Sequence, residues 1–276
     1  MKKTIFFILA CIFTAFVSPI VRYYLTAIFR SVATPEWLIG ILVPVIDWFI
    51  VFSLLLLMFF KPFILQELSK DQEFVPVDAN EFPQLDINSL QRYTDALESA
   101  GFVQLIDFTM VSKSRGFARL FVHPQHYCWV EVNQMFLLGK LRPVVANIIS
   151  TLEPDWSLST TDRKTSGFLL GLTYLINHPR GLWINQPSVT LSKLLETHLQ
   201  RLRQIANTLT LEVTELTDTS PDAYFALQRR ERIKNKQAFQ RKNMIVGMAE
   251  VLLFTVNPKQ EWMGEYGDAV ATKIRS

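Results

Sequence analysis

The run Leu38–Phe60, LIGILVPVIDWFIVFSLLLLMFF, constrains this chain more than any other stretch. It carries one ionisable side chain, Asp47, and no Lys or Arg. At ~1.5 Å rise per residue it reaches roughly 35 Å as a helix, enough to cross a hydrocarbon core of ~30 Å. In lipid only a helix satisfies all its own backbone polar groups, so a transmembrane helix is expected over 38–60.

A second apolar segment precedes it, over about 4–29. Met1-Lys2-Lys3 ahead of an apolar run resembles a secretory signal, but no small-x-small cleavage site follows. An uncleaved first membrane helix is expected, with cleavage, or lipidation at Cys11 in ILAC, as alternatives. Lys2, Lys3, Lys61 and Lys70 flank one side of this hairpin, against Arg22 and Arg30 on the other. Positive charge stays inside, which expects an integral protein of a bacterial inner membrane with both ends and the body in the cytoplasm. Tyr23, Tyr24 and Trp37 then form an aromatic belt at the far interface.

The remainder is polar enough to fold on its own. Five of the 28 Lys/Arg and three of the 25 Asp/Glu precede Lys70, leaving 23 basic and 22 acidic residues in the body. That balance does not favour a nucleic-acid binder, which usually wants a strongly basic domain. Two cysteines, Cys11 and Cys128, cannot frame a disulfide scaffold and suit a reducing compartment.

Pro62, Pro76 and Pro83 mark 62–85 as a linker without regular helix or central strand. The domain proper, 86–276, is expected to be α+β. A first helix, capped by Asn88 or Ser89, puts Leu90, Tyr93 and Leu97 on one face and stops at Gly101. The period then drops to two. Ile106, Phe108 and Met110 alternate with polar residues, a turn spans Ser112–Gly116, and Ala118, Leu120 and Val122 follow. Tyr127–Asn133, Val144–Leu152, Trp156–Thr161, Leu172–Ile176 and Leu182–Asn185 complete an antiparallel β-meander of five to seven strands. Ser188 caps a helix over about 188–208 whose Leu191, Leu194, Leu195, Leu202 and Ile205 face the sheet. Leu211 and Val213 suggest a short edge strand. Ser220-Pro221-Asp222 then starts a long basic helix that Asn257-Pro258 ends at the latest.

Candidate chemistry is sparse. No GxGxxG, GxxxxGK, HExxH or GxSxG motif occurs. His126 and Cys128, two apart on a strand, would share a face, yet a zinc site wants paired ligand clusters and none appears. His198 sits on its helix's apolar stripe, either hydrogen-bonded into the core or facing a pocket. Ser157 and the run Ser159-Thr160-Thr161-Asp162 lack a base tied to them by sequence. No metal or cofactor is expected. Asp47 within a membrane span either snorkels or meets Arg22 of the first helix, or another membrane protein. On the basic helix, Arg230, Lys234 and Arg241 flank an arc of Tyr224, Leu227, Ala238 and Phe239 on one side. Arg229, Arg232 and Lys236 flank it on the other, a pattern that suits an anionic lipid surface.

The expectation is a membrane-anchored, non-enzymatic module that binds a protein partner in or at the bilayer, for assembly, scaffolding or regulation. One rival is a hydrolase-like enzyme with a pocket between the sheet and the 188–208 helix. The other is a membrane-complex subunit that uses Asp47 as its contact.

Overall fold

The computed structural model describes residues 2–32, 34–111, 116–137 and 140–275. It divides into two compact units, Met1–Glu67 and Leu68–Ser276. The first consists of α1 (Lys2–Ser31) and α2 (Glu36–Leu68). Among the described residues α2 is the one helix long and apolar enough to cross a membrane. It outruns the expected end at Phe60 and passes through Pro62. A proline removes one backbone hydrogen bond, and the strong helix formers Leu65, Gln66, Glu67 and Leu68 carry the helix on.

The second unit is α+β, with a mixed sheet. Its strands are β1 (Phe74–Pro76), β2 (Val103–Met110), β3 (Gly116–His123), β4 (Cys128–Leu137), β5 (Lys140–Leu141), β6 (Val145–Leu152), β7 (Trp156–Thr161), β8 (Gly181–Asn185) and β9 (Glu261–Trp262). They pair in the order β1-β2-β3-β4-β6-β7-β8-β9, with β5 attached to β4 off this path. Around them lie α3 (Ile87–Ser99), α4 (Gly167–Ile176), α5 (Leu191–Leu209), α6 (Pro221–Arg241), α7 (Met244–Val256) and α8 (Gly264–Arg275).

Three sequence expectations are corrected. The stretch read as a linker is built into the fold. β1 pairs antiparallel with β2, its Pro76 tolerated at a sheet edge, and Leu85 enters the core. Leu172–Ile176 is the end of α4, not a strand. Ser166 caps it by accepting from the Leu169 amide, and Leu170, Gly171, Tyr174 and Leu175 bury a helical stripe. α4 therefore makes a crossover, so β8 runs parallel to β7 and the antiparallel meander stops at β7. The long basic helix ends at Arg241. Asn243 begins α7 by accepting from the Ile245 and Val246 amides, and α7 stops before Pro258 as expected.

Smaller shifts have local causes. Asp86 caps α3 in place of Asn88 or Ser89, and Thr190 caps α5 in place of Ser188, which adopts φ 67°. Val213 makes only an isolated bridge to Leu152. The turn expected at Ser112–Gly116 falls largely outside the described residues.

Side-chain alternation sends the sheet's two faces to different partners. Phe117, Phe121, Val130, Ala146 and Ile148 pack under α3 and α5. Leu158, Leu182 and Ile184 meet Leu202, Ile205 and Tyr266 of α5 and α8. On the other face Phe108, Leu120 and Trp129 pack against Tyr224, Phe225 and Leu227 of α6. All three apolar clusters close within Leu68–Ser276.

α8 is tied back to the loop before β8 by Glu265, whose amide donates to Pro179 O. Gly264 makes that approach with φ 39°, and a Cβ there would lie 1.9 Å from the Pro179 carbonyl oxygen. Gly264→Ala is expected to destabilise the unit by at least ~2 kcal/mol. Gly267→Ala, whose Cβ would make an ordinary 3.8 Å contact, should be close to neutral. Chemical denaturation of both variants checks this.

Candidate functional site: an apolar ledge and a pinned basic helix

In the first unit Ile39, Val43, Asp47 and Val51 recur every four residues and form one buried stripe on α2. Asp47 Oδ2 accepts 2.7 Å hydrogen bonds from Ser18 Oγ and Arg22 Nε of α1. The chain's own first helix therefore answers this acid with one cation and one hydroxyl.

In the second unit α6 is held inward by its middle. Tyr224, Leu227 and Phe239, three of the four residues of the expected apolar arc, are buried, Tyr224 and Phe239 completely. Tyr224 donates to Glu131 Oε2 from inside the sheet. Glu231 reaches the same face, where its Oε2 accepts from Ser157 Oγ of β7 and meets His178 Nε2, both at 2.8 Å. Its Oε1 accepts from Lys234 Nζ at 2.8 Å, and Lys234 also pairs with Asp155 at 2.6 Å. Burial raises the Glu231 carboxyl, but the hydrogen bonds from His178, Lys234 and Ser157 outweigh it and hold it down at about 2.

The six cations singled out on this helix consequently separate. Lys234 is spent on Glu231 and Asp155. Arg229 donates to Gln72 O with its guanidinium over the Phe74 ring, and Arg232 donates to Leu68 O. Arg230 and Arg241 are exposed and Lys236 half-buried. The two expected rows of three do not form as a unit.

At the corner after α6, Lys242 Nζ donates to the carbonyls of Leu175, at 2.6 Å, and of Tyr174 and Asn177. These carbonyls close the C-terminal end of α4, where the helix dipole favours a cation. Burial pushes the Lys242 ammonium down from its ordinary range. α7 then lies on α4 at close range: a Cβ on Gly171 would come 3.2 Å from Val251 Cγ1, and one on Gly247 2.4 Å from Leu175 Cδ1.

The outer side of α7 is uncovered. Ile245, Val246, Leu252, Leu253 and Val256 are exposed, Leu253 at 72% and Val256 at 86%, and Phe168 and Leu169 of α4 are exposed as well. Glu250 is the one charged residue in α7. A helix apolar on nearly every side is normally covered on every side. Sequence reading found α7 only as a continuation of the basic helix. The missed signal is Asn243, a cap residue between a cation run and an apolar one.

The three remaining candidates are not brought together. His126 lies in the turn between β3 and β4, beside Tyr127 at φ 50°, so it shares no strand face with Cys128. Cys128 is completely buried, and burial pushes its thiol up to about 12. His198 is completely buried under α5, its Nδ1 2.9 Å from Thr160 Oγ1 and its Nε2 3.0 Å from Ser150 Oγ. Burial holds it at about 3, so it stays neutral and structural. The hydroxyl run divides by strand alternation: Thr160 joins His198, while Ser157 and Ser159 face α6, bonded to Glu231 and Asn147. A carboxylate held near 2 is a poor base for Ser157 at neutral pH.

Family models, curated proteins and solved structures yielded no match to this chain.

The pairing of Glu231 has a measurable signature. Its folded value lies below the ordinary 4.5, so its contribution is present above that value and is lost as pH falls from about 4.5 to about 2. The shift corresponds to on the order of 3 kcal/mol. Glu231→Gln should therefore be less stable than the native chain at pH 7, with the gap closing across that window. A gap that stays constant down to pH 2 would contradict the pairing.

Proposed function

We propose that this chain is a non-enzymatic, membrane-anchored module that works at the cytoplasmic surface of a bilayer. In this reading α1 and α2 form an anchoring hairpin. The α4–α7 ledge seats the second unit on the lipid, and the rest of that unit is presented to a protein partner, as an assembly or regulatory factor requires.

The exposed apolar side of α7 carries the proposal. Burying such side chains contributes ~25 cal/mol per Å² of apolar area removed from water. The occupant argued for is the bilayer, because the second unit begins where α2 ends and is thus covalently tied to a helix that can span one. The exposed Arg241, one residue before the Lys242–Asn243 corner, and Arg230 add charge complementarity to an anionic leaflet. Each cation near such a surface contributes ~1 kcal/mol, decaying over a Debye length of ~8 Å at physiological salt. The hydrolase-like alternative draws no support from His198, which no solvent reaches, or from the hydroxyl run.

The isolated unit Leu68–Ser276, which closes its own apolar clusters, should float with anionic vesicles. Leu253→Glu/Val256→Glu should cut binding at least tenfold without unfolding, since both side chains point outward. Arg230→Gln/Arg241→Gln should weaken it less and remove most of its salt dependence. A native unit that ignores anionic vesicles even at low salt would overturn the seat.

A further inference from the structure

The β-ladder from β4 through β8 carries a row of directly paired residues, Glu131, Asn147, Thr161 and Asn185, that is polar at every position. It lies on the α6 side of the sheet, the side on which β2, β3 and the start of β4 bury Phe108, Leu120 and Trp129. An inward sheet face is ordinarily apolar, and a buried polar group left without a partner costs ~1–3 kcal/mol. Asn185 is nevertheless only 2% exposed, and its Oδ1 has no partner among the described residues. Asn133 Oδ1 and Trp183 Nε1, buried on the same face, likewise have no partners among the described residues. Orphaned polar atoms gathered on one face of one sheet point to something they are built to hold.

Space is available at that place. Asn185, Trp183, Thr161 and Arg163 line a cavity of about 230 Å³ between the sheet and α4. A second cavity of about 130 Å³ also has Trp183 in its wall and is lined by Asn147 and Ser159. Each exceeds by far the ~10–15 Å³ that one water requires. Toward β4, Arg163 also borders a cavity of about 360 Å³ that it shares with Asn133, Arg142 and Lys164. The Arg163 guanidinium rests against the Met135 thioether at 3.4 Å, a weak acceptor for so strong a donor.

We infer that this groove is a binding site for a small hydroxyl-rich anion of the sugar-acid or sugar-phosphate class. An amide offers a donor and an acceptor side by side, as each ligand hydroxyl does, so Asn133, Asn147 and Asn185 match a polyol. The Trp183 indole adds a donor and an apolar wall. Arg163, Lys164 and Arg142 gather positive charge at one end, and a guanidinium is suited to a carboxylate or phosphate held by two hydrogen bonds. The site lies on the opposite face from α5 and His198, and it does not depend on the membrane seat.

Thermal unfolding of the full chain in mild detergent tests this, with glucose 6-phosphate and gluconate as probes and glucose and matched potassium chloride as controls. Both anions should raise the midpoint saturably, glucose should do so far less, and salt should not. Arg163→Gln, near the mouth, should weaken both anions at least tenfold and leave the small glucose response unchanged. Asn185→Ser should weaken all three sugars. If neither anion produces a saturable shift, or if the shift survives undiminished in Arg163→Gln, the orphaned groups meet only solvent and the site is refuted.

Discussion

A desolvated carboxylate organises the second unit. Glu231 cannot sit against the sheet uncompensated, because an unpaired buried charge is among the most destabilising things a fold can contain. Ser157 from β7, His178 from the loop before β8 and Lys234 from its own helix compensate it together. Those contacts fix where α6 crosses the strands. With α6 fixed, Lys242 arrives over the C-terminal carbonyls of α4, and the chain that follows has little choice but to lie on α4 as α7. The exposed apolar ledge thus follows from a polar contact more than one helix away.

The same sheet solves two problems on its two faces. Toward α5 it is a conventional core, where even the histidine is neutral and bonded to two hydroxyls. Toward α6 it begins apolar at β2 and β3 and turns polar from the middle of β4 onward, with orphaned amide and indole atoms where packing would favour Leu or Val. The asymmetry has a topological origin. α4 crosses from β7 to β8 on that side, and cavities remain between it and the strands and between α6 and the strands.

Much of the framework was legible because it depends on local periodicity. Alternation in β2, β3, β6 and β7, the Ser220-Pro221-Asp222 start of α6 and the apolar span of α2 are properties of neighbouring residues, and they read correctly. Leu172–Ile176 misled because a short apolar run has no period of its own, and the decisive Ser166 cap lies outside it. Pro76 misled because an edge strand tolerates a proline that a central strand does not. The Glu231 contacts were illegible on principle: Ser157 and His178 lie 74 and 53 residues away, and nothing local pairs a strand serine with a helix glutamate. The meeting of Arg22 with Asp47 could be foreseen as a possibility, since a buried acid between two apolar helices looks for the nearest cation.

The central claim, that the α7 ledge is covered by lipid, can be read from one side chain. Leu253→Cys in a Cys11→Ser background, labelled with an environment-sensitive fluorophore, leaves Cys128 as the sole competing thiol, and that thiol is completely buried. In the full chain reconstituted into anionic vesicles, the label should emit as in an apolar medium. It should be quenched by nitroxides on the lipid acyl chains and shielded from aqueous iodide. Emission as in water, quenched by iodide and indifferent to the lipid nitroxides, would contradict the account.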